Sequence, residues 1–189
     1  IEPLKAIDTI LEAVDFARSE DSDLMDCVNV AVVGGNPGNP EELELARLQS
    51  LARELHLEDV VKFLGAKDHS LLPLYYAAAT TVIMPSDYES FGMVALEAMA
   101  TGTPVIASEV GGLAFLVQDQ ETGFLVPARD HVALATGIIA LLSDPAKRDK
   151  LGHNAFALAQ QYTWSNIVDK LLEVFEDVVL RPAINHHRR

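Results

Sequence analysis

The chain has 189 residues, of which 49% are hydrophobic and 22% charged, an ordinary globular composition with enough apolar material for one core. Against 28 Asp and Glu stand 14 Lys and Arg, a formal charge of −14. That excess argues against nucleic acid or an anionic membrane as partner, because phosphate neutralisation supplies most of such affinity. The single cysteine, Cys27, excludes an internal disulfide framework and fits a reducing compartment. No apolar run approaches the roughly 18 residues of a membrane span, and the opening Ile1-Glu2-Pro3-Leu4-Lys5 does not read as a signal peptide. The expectation is a soluble, cytoplasmic protein with no integral membrane segment.

Residues 7–19 place Ile7, Ile10, Leu11, Val14 and Ala17 at helical spacing. Residues 28–33 form a short β-branched run that stops at Gly34-Gly35, the kind of run buried on both faces of a parallel sheet. Cys27, at its start, reads as a small core residue. A Pro/Gly/Asn loop at 36–40 leads into a helix over 41–56. Then come strand 60–64, helix 70–79, strand 80–84, helix 92–100, strand 104–107, a short helix and strand 124–126. Helices over 130–143, 146–161 and 164–180 complete the pattern, with Thr163 as an N-cap and Tyr162 and Trp164 anchoring the last helix. Residues 1–181 form the domain and 182–189, ending His186-His187-Arg188-Arg189, a tail. Strands separated by helices imply right-handed βαβ crossovers and an α/β fold, with a parallel sheet covered on both faces. Such folds usually begin with a strand, whereas this chain opens with a helix, so a leading strand is expected upstream of Ile1.

Open parallel sheets bind ligands at the carboxyl ends of their strands, where helix N-termini point. Three strand exits carry unusual residues. Gly34-Gly35 permits close approach of backbone to a phosphate or sugar, or simply a turn with positive φ. Ser108-Glu109-Val110-Gly111-Gly112 either lines the same crevice or makes a tight turn. The second exit is the richest: after Met84-Pro85-Ser86 a polar loop presents Glu89, then Ser90 and Phe91 lead into a helix beginning near Gly92. The backbone N–H groups of Phe91, Gly92, Met93 and Val94 are the unpaired donors of that helix, and its dipole favours an anion there. Glu97 sits in an otherwise apolar helix. Burying it unpaired would cost several kcal/mol, so it must meet water, a cation or a ligand hydroxyl. Two carboxylates flanking a helix N-terminus suit a ligand with hydroxyls at both ends and phosphate between, provided a cation such as Lys5 lies nearby.

Seven residues separate Glu89 from Glu97. With 14 glutamates in 189 positions about one such pair arises by chance, and Glu12 with Glu20 is another. The surrounding string is what carries information. Glu89-Ser90-Phe91-Gly92-Met93-Val94-Ala95-Leu96-Glu97-Ala98-Met99-Ala100, followed by Gly102-Thr103-Pro104-Val105-Ile106-Ala107-Ser108, resembles the donor-site signature of retaining glycosyltransferases of the GT-B fold, family 4. Val32-Val33-Gly34-Gly35, Val61-Lys62-Phe63-Leu64-Gly65, Leu74-Tyr75-Tyr76-Ala77-Ala78-Ala79, Val110-Gly111-Gly112 and Glu121-Thr122-Gly123-Phe124-Leu125-Val126 resemble that family's landmarks in the same order. The wording is nearest the sucrose-phosphate-synthase-like and inositol-phosphate-glycosyltransferase-like branches.

The resemblance implies one Rossmann-like half of a GT-B enzyme, the C-terminal donor-binding domain. Its partner would be an N-terminal acceptor-binding domain of the same protein, and its substrate a nucleotide-diphosphate sugar, with a UDP-sugar favoured. It implies that Glu97 binds the ribose, that Glu89 faces the transferred hexose, and that Ser90, Phe91, Gly92, Met93 and Val94 give backbone contacts to sugar and diphosphate. Pro3-Leu4-Lys5-Ala6-Ile7-Asp8 resembles the family's G-R-x-x-P-x-K-G segment, making Lys5 the diphosphate cation and, with Glu89, a catalytic residue. Ala6 replaces the family's glycine, and the family's arginine would precede Ile1. Gly34, Gly35, Ala66, Lys67 and Leu72 complete the donor contacts, the last three around the base. No cofactor and no metal is implied, and the six histidines show no ligand spacing. A non-catalytic nucleotide-sugar-binding module, or a same-fold epimerase or phosphorylase, are the alternatives.

Overall fold

The computed structural model describes residues 1–36 and 42–180; the remainder of the 36–40 loop, the first residue of the 41–56 helix and the 182–189 tail lie outside the described residues. The elements alternate as the sequence requires. A 3-10 turn, Pro3–Lys5, leads into α1 (Ile7–Glu20); α2 (Ser22–Met25), β1 (Val30–Val33), α3 (Leu43–Glu54) and β2 (Val61–Gly65) follow. Next come the 3-10 turn His69–Leu71, α4 (Leu72–Ala78), β3 (Val82–Met84), α5 (Met93–Ala100), β4 (Val105–Ser108) and α6 (Leu113–Leu116). β5 (Gly123–Val126), α7 (His131–Ser143), α8 (Pro145–Ala159) and α9 (Trp164–Leu180) complete the chain. The helix starts follow local chemistry: the carboxylates of Asp130 and Asp144 accept from the N–H groups of Ala133 and Lys147 at 2.9 Å. Thr163 caps α9 as expected, its hydroxyl accepting from Asn166 N–H at 3.4 Å.

All strand pairs are parallel, β1 with β2 and β3 with β4 with β5. Among the described residues these make two separate sheets, of two and three strands. They share one hydrophobic cluster, in which Leu11 and Val14 of α1 and Leu134 and Leu141 of α7 meet Val32 of β1, Val61 of β2 and Ile106 of β4. A second cluster joins Ala95, Ala98 and Met99 of α5 to Val105 and Ala107 of β4, Leu113 and Leu116 of α6, and Ala155 and Ala159 of α8.

Three expectations are corrected. β4 is buried at all four residues, as a central strand should be, but in β1 only Val32 is buried while Ala31 and Val33 are exposed. Ala31 and Val33 lie on one face of β1 and Val32 on the other, so only one face of the strand is covered among the described residues. Cys27 is exposed and precedes β1 rather than packing in the core. Trp164 is likewise exposed and anchors nothing, whereas Tyr162 packs edge-on against Phe91 with ring centroids 6.0 Å apart. Residues 164–179 of α9 are exposed throughout, including Leu171, Leu172, Phe175 and Val178.

Candidate functional site

The carboxyl ends of β3, β4 and β5 and the turn before α1 converge on the N-terminus of α5. Gly92, in the left-handed region at φ 95°, reverses the chain into α5, and no side chain caps the helix. At the third strand exit the glycines allow close packing. Gly112 N–H donates to the Glu89 carbonyl at 2.8 Å, and a Cβ on Gly112 would run into Phe91 Cα. A Cβ on Gly111 would run into the Glu89 carbonyl. These two glycines let the β4 exit lie directly against the backbone of Glu89, Ser90 and Phe91.

Lys5 and Glu89 come together. The ammonium donates to Glu89 Oε2 at 2.9 Å, with the Lys5 side chain 44% and the Glu89 side chain 16% exposed. This pair holds the Glu89 carboxyl below its usual range, and the backbone N–H groups of Phe91 and Gly92 act in the same direction. Glu89 is thus an ionised group at a positive helix end, with the cation expected to serve a diphosphate beside it. The turn that delivers Lys5 closes through Ala6, held in the left-handed region at φ 49°, the conformation a glycine takes most easily at that place.

A chain of ion pairs fixes this junction. Arg129, on the loop between β5 and α7, donates through Nε to Asp87 Oδ1 at 2.6 Å and through its terminal nitrogens to Asp87 Oδ2 and, at 2.9 Å, to Asp8 Oδ1. Asp8 also accepts from Arg47 at 2.9 Å, and Arg47 makes a two-pronged contact with Glu44. Asp87 stands two residues before Glu89, and its N–H donates to the Leu4 carbonyl at 2.9 Å. Arg129 therefore ties the segment carrying Lys5 to the segment carrying Glu89. Nothing in the sequence pattern singled out Arg129, Asp87 or Asp8, since isolated charges on loops and helix starts look like solvated surface.

Glu97 lies on the next turn of α5. Tyr76 donates its hydroxyl to Glu97 Oε2 at 2.9 Å, and His69 Nε2 stands 3.4 Å from Oε1. The requirement that this carboxylate find a polar partner is met by a tyrosine and by solvent. The turn 69–71 brings the stretch from Ala66 to Leu72 past Glu97. Within that stretch Ala66 is exposed and donates its N–H to the Gly35 carbonyl at 2.7 Å, joining the β1 and β2 exits. The Lys67 ammonium donates to the Leu64 carbonyl at 2.6 Å, and Leu72 is half-buried against the second core cluster. Gly34 and Gly35 have φ of 131° and 67°, so the turn that was one of two readings does require glycine. Phe91, Met93 and Val94 are exposed around the helix end.

An α/β domain of parallel sheets flanked by helices, with an uncapped helix end between two carboxylates and a lysine, defines the Rossmann-like half of a GT-B glycosyltransferase. The sequence profile of the family described as "Glycosyl transferases group 1" matches residues 1–158, and the chain belongs to that family. It is 41% identical over 179 residues to D-inositol 3-phosphate glycosyltransferase of Salinispora tropica, covering 95% of this chain and 37% of that protein. Among solved structures, sucrose-phosphate synthase of Thermosynechococcus elongatus superposes with a TM-score of 0.80 at 39% identity, over 94% of this chain and 43% of that one. Anabaena HepE, solved in complex with UDP-glucose, superposes with a TM-score of 0.80 at 28% identity, over 94% and 46%. The chain thus spans about two fifths of the length of the curated relatives it matches. Among the described residues no helix is long and apolar enough to cross a membrane.

Proposed function

We propose that residues 1–181 are the C-terminal, donor-binding half of a hexosyltransferase that uses a nucleotide-diphosphate sugar, a UDP-sugar in the first instance. The observation that carries this reading is the meeting of Lys5 and Glu89, 2.9 Å apart, at the uncapped N-terminus of α5. The binding of UDP-glucose by HepE, which shares this fold, supports the choice of nucleotide. The acceptor would be held by an N-terminal domain of the same protein. A reducing, cytoplasmic setting suits the exposed thiol of Cys27.

In this reading Glu97 accepts from a ribose hydroxyl, with Ala66, Lys67 and Leu72 beside the base and Gly34 and Gly35 at the neighbouring strand exit. The diphosphate lies over the N–H groups of Gly92, Met93 and Val94. Departure of the nucleoside diphosphate develops negative charge on the leaving oxygen. Lys5 and the helix end stabilise that charge, each already in place before reaction. Lys5 exchanges Glu89 for a phosphate oxygen as donor enters, which frees the Glu89 carboxylate to face the hexose. With a lysine and a helix dipole on the phosphates the transfer needs no metal, and it proceeds with retention at the anomeric carbon. The full-length protein should hydrolyse UDP-glucose slowly without acceptor, and Glu89→Ala should abolish that turnover while leaving UDP binding within about threefold. Turnover that survives Glu89→Ala would remove Glu89 from the reaction. Binding of UDP-glucose without any turnover, alone or with acceptor extracts, would make the chain a non-catalytic binding module.

A further inference from the structure

A carboxylate that grips a sugar hydroxyl must hold its own orientation, and Glu97 is poorly placed to do so alone. Its helix neighbours Val94, Ala95, Leu96 and Ala98 offer no polar side chain. Among the described residues no Lys or Arg pairs with it, and its side chain is 28% exposed. The firm contact is Tyr76, on α4. Tyr76 is 9% exposed, packs in the second core cluster, and accepts at its carbonyl a 2.7 Å hydrogen bond from the buried hydroxyl of Thr103. Both its ring and its backbone are therefore fixed. Burial, and then the hydrogen bond to Glu97, push the Tyr76 phenol above its ordinary range, so it stays a donor at any working pH. On the other side of the carboxylate, His69 stands 3.4 Å from Oε1 on a side chain that is 83% exposed, a contact a ligand displaces at little cost.

We propose that Tyr76 is a positioning residue of the donor site: its hydroxyl, on a ring fixed in the core, holds Glu97 by Oε2 and turns Oε1 outward to accept from one ribose hydroxyl of the nucleoside diphosphate. The inference rests on the donor-domain reading and adds to it the residue that sets recognition of the ribose. Tyr76 touches neither the sugar nor the phosphates. It acts through Glu97, so its removal weakens one hydrogen bond of the ligand and leaves the rest of the site as it was.

The test is calorimetric titration of the full-length protein with UDP, 2′-deoxy-UDP and 3′-deoxy-UDP. Wild type should bind at least one deoxy analogue about tenfold more weakly than UDP, the value of one charge-assisted hydrogen bond. In Tyr76→Phe, which keeps the ring in the core, that ratio should fall below about threefold, chiefly through weaker UDP binding, with the deoxy analogue little changed. Val105→Ala, a core truncation in the same cluster without a hydrogen-bonding group, should lower the melting temperature and keep the full ratio. A Tyr76→Phe protein that still discriminates tenfold, or that loses affinity for ribo and deoxy ligands equally, overturns the inference. Wild type that binds UDP but does not discriminate removes Glu97, and Tyr76 with it, from the ribose while the donor domain stands. Wild type that binds none of the three ligands overturns this inference and the choice of UDP together.

Discussion

Arg129→Gln removes the guanidinium that joins Asp87 to Asp8 and leaves two carboxylates on adjacent segments with one neutral side chain between them. The Arg129 side chain is 45% exposed and the two carboxylates 30% and 17%, so the pairs are screened by solvent. Exposed pairs contribute about 0.2–1 kcal/mol each, with forked arginine contacts in a network at the upper end. Arg47 continues to hold Asp8, which limits the damage. The expected loss is about 1–1.5 kcal/mol near neutral pH, a fall of roughly 2–6 °C in melting temperature for a domain of this size. The pH dependence is specific. The Arg129 hydrogen bond holds the Asp87 carboxyl below its ordinary 3.8. A depressed folded value means that the stability is fully present above 3.8 and is lost as pH falls through the lower folded value. Urea titrations from about pH 7 downward should therefore show wild type and Arg129→Gln converging below that range, and converging also in about 1 M salt. Arg129→Lys, with one ammonium for two carboxylates, should recover about half the difference. A wild-type-to-variant gap that is unchanged in acid and in high salt would refute the ionic account and assign the effect to packing of the arginine stem.

Three further outcomes follow from the same geometry. Gly112→Ala drives a methyl into Phe91 Cα and the Ser90 carbonyl, which only movement of the Glu89–Phe91 backbone relieves; about 3 kcal/mol of stability should be lost in denaturant titration, and UDP affinity with it. Lys5→Met should weaken UDP binding by about tenfold while barely affecting uridine, because only the diphosphate has lost a partner; equal losses for both, read by calorimetry, would place Lys5 elsewhere. In wild type the Lys5–Glu89 pair is fully formed above the ordinary Glu value of 4.5 and is lost as pH falls through the lower folded value, so wild type and Lys5→Met should converge in acid stability. Cys27→Ser, at an exposed position, should change stability by less than about 0.5 kcal/mol and abolish labelling by a thiol reagent in the folded protein.

Much of the fold was legible because its signals are local. Short β-branched runs stopping at glycine, Thr163 at a helix start, and apolar residues at helical spacing place the expected strands and helices to within two residues, while the short α2 was not anticipated. The exposure of Ala31 and Val33 was not legible, since a strand's burial depends on what packs over each of its faces. Cys27 and Trp164 misled for a related reason: residue type reports a preference for burial, and only packing decides it. In the site, Glu89 and Glu97 stood out through the string around them and not through their spacing. Tyr76 was visible only as part of a landmark, because one tyrosine in an apolar helix reads as core. Arg129, Asp87 and Asp8 act through partners as distant as 121 positions in sequence, which no local pattern encodes. The glycines at 111 and 112 offer two readings, and the nearness of the Glu89–Phe91 backbone supplies a packing reason for them that no sequence pattern shows.

The central claim is that this chain binds a nucleoside diphosphate between the α5 N-terminus, Lys5 and Glu97. Calorimetric titration of the full-length protein with UDP, GDP and ADP, repeated on Glu97→Ala, tests it most directly. The account predicts that one diphosphate, UDP foremost, binds wild type and binds the variant at least about tenfold more weakly. Wild type that binds none of the three, or a Glu97→Ala variant that binds as tightly as wild type, would contradict it.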